Sequence, residues 1–158
     1  MSLSRKIAAA LDELEGRDLP RTATVADGPH TLSIEVAAAA SVGLEADRLT
    51  FRADGPARSL QDLREWGARV ASKVTYLMEP LRVHEADAVG VEVALRSVSP
   101  TARPGRRSFF EARLGRDGSL DLRRHAVDDA TGRREPARFQ LTREALERLT
   151  DDLAATAR

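Results

Sequence analysis

The sequence predicts an α+β domain with one mainly antiparallel sheet and helices packed on it, in the order α-βββ-α-βββββ-α. Three observations lead there. Apolar residues recur at helical spacing near residue 10, near residue 70 and at the C-terminus. Period-two alternation fills the segments between them. The strands come in runs instead of alternating one for one with helices, which argues against a parallel βαβ arrangement. The 158 residues read as a single domain, 1–158, long enough to bury a substantial core.

The first helix is marked by Leu3, Ile7, Leu11 and Leu14, with Gly16 as its stop. After Pro20, Arg21–Ala26 and Thr31–Ala40 read as strands, and Leu32, Ile34, Val36 and Ala38 share a face. Asp27-Gly28-Pro29-His30 is the turn between them, with Gly28 free to take a positive φ. Arg48–Ala53 is a third strand, closed by Asp54-Gly55-Pro56. The second helix has the stripe Leu60, Leu63, Gly67, Val70, Val74 and Leu77, spanning 59–78. Ser59 and Asp62 resemble a capping box at its start, and Pro80 marks its exit. Gly67 predicts a close approach of this helix to a neighbouring backbone.

Leu81 and Val83, then Val91, Val93 and Leu95, form two strands about a turn at Asp87–Gly90. Residues 99–107 (SPTARPGRR) and Asp128–Arg134 read as loops, with a short strand at 137–141. The last helix starts at Thr142 as N-cap and buries Leu146, Leu149 and Leu153.

Between those two loops lies SFFEARLGRDGSLDLRRH, residues 108–125, which reads as a hairpin. With Arg116-Asp117-Gly118 as a three-residue loop and Gly118 left-handed, Leu114 faces Leu120 and Ala112 faces Leu122. That register puts Arg113 across from Asp121 and Glu111 across from Arg123, favourable cross-strand pairs of about 0.2–1 kcal/mol each. A two-residue Asp-Gly loop would set Leu114 against Asp121 and mix the faces. The charges therefore select the register without any ligand. At the open end Phe109 faces His125 and Phe110 faces Arg124. An aromatic ring on each face predicts that something covers the outer face: a helix of the same chain, a second subunit or a partner.

Composition narrows the function. Basic and acidic residues number 25 each, and all but two of the bases are arginine. Residues 96–138 carry 11 arginines against 6 acids, a mildly basic stretch well short of a dedicated nucleic-acid footprint. Cysteine is absent, so no disulfide, thiol nucleophile or zinc–thiolate site is expected. The N-terminal Ile/Ala run is cut by Asp12, Glu13 and Glu15, against a signal peptide, and no segment has the roughly 20 apolar residues of a membrane helix. A soluble, cytoplasmic location is the expectation.

Reaction motifs are lacking. There is no GxxxxGK[ST], GxGxxG or GxSxG. His84-Glu85-Ala86-Asp87 starts like HExxH, but residue 88 is alanine where the second ligand belongs, and strand alternation would separate His84 from Glu85. His30, His84 and His125 are dispersed. No catalytic, cofactor or metal residue is assigned. The order helix, three strands, helix, strands, helix is similar to the layout of small secretion-chaperone-like proteins, which implies binding of other polypeptides. The chain departs from that layout in its extra strands and its lack of net acidity.

The leading expectation is thus a non-enzymatic protein-interaction or chaperone-like domain, binding another protein or a second copy as a homodimer. Its expected surface is Arg103, Arg106, Arg107, Phe109, Arg124 and His125. The first alternative is weak nucleic-acid or anionic-ligand binding by the same arginines with Arg123, the bases stacking on Phe109. The second is a small-molecule enzyme with a pocket between helix 59–78 and the sheet.

Overall fold

The computed structural model describes residues 1–157. Helix α1 (Leu3–Leu14) leads into strands β1 (Arg21–Asp27), β2 (His30–Ala39) and β3 (Gly43–Ala53), and helix α2 (Leu60–Lys73) follows. Strands β4 (Leu81–Asp87), β5 (Glu92–Ser97), β6 (Thr101–Arg103), β7 (Arg106–Gly115), β8 (Ser119–Asp128), β9 (Arg134–Ala137) and β10 (Phe139–Thr142) precede helix α3 (Arg143–Thr156). Every pairing is antiparallel, and the main path runs β1-β2-β3-β8-β7-β5-β4. The predicted order holds, with β6 a short addition inside the 99–107 segment read as a loop, and β9 a short addition between the 128–134 loop and the predicted strand at 137–141, which starts at Phe139. Residues 101–103 are not a free loop: they fold back on β7 through a Pro104-Gly105 turn, with Thr101 facing Ser108 and Arg103 facing Arg106.

The three helices cover one face. α1 packs on β1 and β2, α3 on β3 and β10, and α2 on β4, β5 and β7. Their stripes meet Leu32, Ile34, Val36, Leu49, Phe51, Val93, Leu95, Leu114, Leu120 and Leu122 in one continuous core. Trp66 is buried on α2, edge-on to Phe51, and donates its indole N–H to the Thr156 hydroxyl at 3.3 Å. Removing apolar area of this extent from water is the main force holding the layers together.

Local chemistry fixes the helix ends. Ser59 accepts the Asp62 amide at 3.1 Å and the Asp62 carboxylate accepts the Ser59 amide at 2.9 Å, completing the capping box. Thr142 caps α3 through the Ala145 amide. α2 stops at Lys73, a turn short of the predicted span: Val74-Thr75-Tyr76 is a β-branched and aromatic run with poor helix propensity. Val74 and Leu77 still reach the core from the irregular segment. At Gly67 an added Cβ would lie 3.2 Å from Leu95 Cδ2, so the close approach is to side chains of β5 and β4 and not to backbone.

The β7–β8 hairpin has the predicted register, from Leu114 opposite Leu120 to Phe109 opposite His125 and Phe110 opposite Arg124. Gly118 is left-handed (φ +82) and its amide donates to the Gly115 carbonyl. A Cβ there would collide with the Ala53 carbonyl oxygen. Gly118→Ala is therefore expected to destabilise the fold by about 2 kcal/mol or more, read as a lowered midpoint of urea unfolding.

One feature of the topology positions the candidate site. β3 pairs with β8 only over Leu49–Arg52 and Ser119–Leu122. Beyond that contact β8 takes β9 on the same edge, over Arg124–Val127, while β3 takes β10 over Gly43–Ala46. The sheet forks there, and the chain crosses between the two arms at Arg138.

Candidate functional site: a groove at the sheet fork

Where the arms part, a cleft of about 650 Å³ is lined by Arg103, Arg106, Ser108, Arg124, Arg138 and Gln140, with Glu45, Met78 and Thr101 among its other walls. A second, mainly apolar cleft of about 540 Å³ adjoins it, formed by Ala38, Ala39, Ala40, Gly43, Leu44 and Leu141. The two share Glu45, Met78 and Gln140, so they make one groove with an apolar end and an arginine end. Small side chains along Ala38–Ala40 keep the apolar end open. Gly43 lets β10 approach, since a Cβ there would meet the Leu141 carbonyl oxygen at 2.9 Å. Met78 stands at the junction with 71% of its surface exposed.

The floor of the arginine end is a buried, hydrogen-bonded ion pair. Arg124 Nε and Nη2 donate to the two Glu79 carboxylate oxygens at 3.1 and 3.0 Å, and the Thr101 hydroxyl donates to Glu79 Oε2 at 2.5 Å. Glu79 is 1% exposed and the Arg124 side chain 16%, so this two-pronged pair is largely out of water. The Arg124 guanidinium also lies 5.8 Å from the Phe110 ring centroid. At the mouth, Arg103 and Arg106 face each other across β6 and β7.

The six residues expected to form one surface are divided by the strand pleat. Arg103, Arg106 and Arg124 reach the groove. Arg107, Phe109 and His125 lie on the opposite face, because consecutive residues of β7 and β8 alternate. Arg107 is paired with Asp129 at 2.9 Å. Phe109 is 8% exposed, with the Arg96 and Arg134 guanidiniums each 5.3 Å from its ring and His125 at 5.8 Å. Arg96 of β5 and Arg134 of β9 thus cover Phe109, while Phe110, on the other face, packs on Phe139 of β10 and under Arg124. That removes the reason for placing a second subunit over this corner, and it leaves no open ring on which a base could stack.

On that outer face the predicted ion pairs are exchanged for others. Glu111 is bound by Arg96 at 2.9 Å, Arg113 at 3.0 Å and Arg134 at 3.0 Å, not by Arg123. Asp121 takes Arg48 at 2.8 Å and Arg123 at 3.2 Å, not Arg113. The register is unchanged, but the arginine two residues along the same strand (Arg113 for Glu111, Arg123 for Asp121) and arginines of β5, β9 and β3 (Arg96, Arg134, Arg48) take the place of the hairpin partner. Burial pushes the Glu111 carboxyl up, yet the three guanidinium hydrogen bonds outweigh it and hold the group at about 2. Burial, then the Arg134 charge, lowers His125 below the usual histidine range, keeping it neutral at pH 7.

One further expectation is resolved by geometry. Between α2 and the sheet, Val70, Val74, Leu77, Leu120, Leu149 and Leu153 leave about 10 Å³, no room for a substrate. His84 is exposed on the edge strand β4, and among the described residues no three of His, Cys, Asp and Glu gather as a metal-binding group. Sequence reasoning missed Glu79, Met78 and Arg138. Glu79 and Met78 lie in an irregular segment, and nothing local marks them as partners of Arg124.

Comparison with protein-family models, with curated proteins and with solved structures finds no match for this chain. Among the described residues no helix is long and apolar enough to cross a membrane.

Proposed function

We propose that this chain is a non-enzymatic, chaperone-like protein-interaction domain of the cytoplasm that holds an extended, negatively charged segment of another polypeptide in the fork groove. The observation that carries the reading is the continuity of the apolar cleft with the arginine cleft across exposed Met78. A flexible thioether suits a surface that accepts varied side chains. Charge complementarity selects the sign of the occupant: Arg103 and Arg106 present positive charge where the segment would leave the apolar end. The groove is open and lacks convergent acid–base groups, which suits holding better than chemistry.

The test is binding of a fluorescent extended peptide with alternating Leu and Ala followed by two Asp, against a counterpart ending in two Lys. The acidic peptide is expected to bind at least tenfold more tightly and to weaken as salt rises. Met78→Glu should weaken it about tenfold. Equal binding of the two peptides, or no effect of Met78→Glu, would contradict the groove.

A further inference from the structure

We propose that the arginine end of the groove is a subsite for a phosphate monoester carried on the bound segment, an inference that rests on the groove reading above. Most cations of this corner are already neutralised: Arg107 by Asp129, Arg124 by Glu79, and Arg138 by Asp47 and Glu45. Arg103 and Arg106 have no ion-pair partner among the described residues, although they face each other directly. Facing residues of an antiparallel pair have Cβ atoms roughly 5 Å apart, and like charges so placed repel. Asp128, which faces Arg106 on the other side, makes no ion pair with it: its Oδ1 accepts the Ala130 and Thr131 amides at 2.8 and 3.1 Å, and its charge acts on Arg106 only through space.

Two adjacent guanidiniums without an ion-pair partner at the mouth of a cleft call for more than one negative charge at one point. A carboxylate brings one charge. A phosphate monoester brings about −1.5 to −2 at pH 7, with three acceptor oxygens for two planar forks. Ser108, next along the same face of β7, lines the cleft with a hydroxyl. Behind it the Glu79–Arg124–Thr101 cluster is closed on itself, so it sets the floor without competing for the ligand. Glu45, on the β3 wall and tied to Arg138 at 3.5 Å, repels an anion from that side and places it against Arg103 and Arg106.

The experiment is calorimetric titration of the full chain with a ten-residue Leu/Ala/Ser peptide bearing one phosphoserine, with its unphosphorylated twin, with a Glu-for-phosphoserine twin, and with phenyl phosphate. The phosphopeptide is expected to bind about tenfold more tightly than the Glu twin. Its affinity should rise severalfold between pH 5 and 7.5 as the second phosphate ionisation near pH 6 completes. The double variant Arg103→Gln/Arg106→Gln, at two exposed positions, should lose that advantage and bind the phosphopeptide no more tightly than the Glu twin. A Glu twin bound as tightly as the phosphopeptide, or an advantage that survives in the double variant, overturns the subsite and leaves the groove standing. Phenyl phosphate bound as tightly as the phosphopeptide supports the subsite and overturns the groove.

Discussion

Glu79→Gln is expected to lower the unfolding free energy by about 3 kcal/mol, because it leaves the Arg124 guanidinium largely buried without a counter-charge. The amide keeps the carboxylate's size, so the loss reports charge and hydrogen bonding more than packing. Arg124 has only the Phe110 ring and Met78 Sδ, 3.7 Å from Nη2, as remaining neighbours of note. Replacing both partners by apolar groups, Glu79→Met with Arg124→Met, should recover most of the loss, since apolar groups of similar volume often substitute for a buried pair at little cost. Urea unfolding followed by circular dichroism checks both. A Glu79→Gln protein within 1 kcal/mol of the parent would mean that the pair is solvated.

The second large effect is on acid stability. Glu111 is 4% exposed and sits at about 2 instead of the ordinary 4.5. A folded-state value below the unfolded one means that the stabilisation is present above pH 4.5 and is lost as pH falls toward 2. At about 1.4 kcal/mol per pH unit, the displacement corresponds to roughly 3 kcal/mol. Glu111→Gln should therefore be less stable than the parent at pH 7 by an amount of this order. The gap should narrow steadily below pH 4.5 and nearly close by pH 2. A difference that stays constant from pH 7 to pH 2.5 would show that Glu111 contributes through shape and not through charge.

These two carboxylates show what the sequence could and could not reveal. The hairpin register was legible because the Gly118 turn and the alternation of Leu114, Ala112, Leu120 and Leu122 fit only one pairing. The partners of Glu111 were not, because Arg96 and Arg134 arrive on strands whose places beside β7 and β8 are set by the whole sheet. The division of the arginine surface could have been read from the strand period alone, since Arg106 and Arg107 are consecutive and must point apart. The fork could not. It depends on β9 and β10 displacing β3 and β8 from each other, a competition between pairings distant in sequence. The groove, with Met78 and Glu79 supplied from an irregular segment, exists only once that competition is decided.

The most direct test of the account is to map where the acidic peptide binds, by amide chemical-shift changes across the isotopically labelled chain. The fork groove predicts changes concentrated at Ala38–Ala40, Leu44, Met78, Arg103–Arg106 and Gln140–Thr142, with little at Arg113, Arg123 or His125 on the opposite face. Changes centred on that opposite face, or along the exposed edge strand β4, would contradict it.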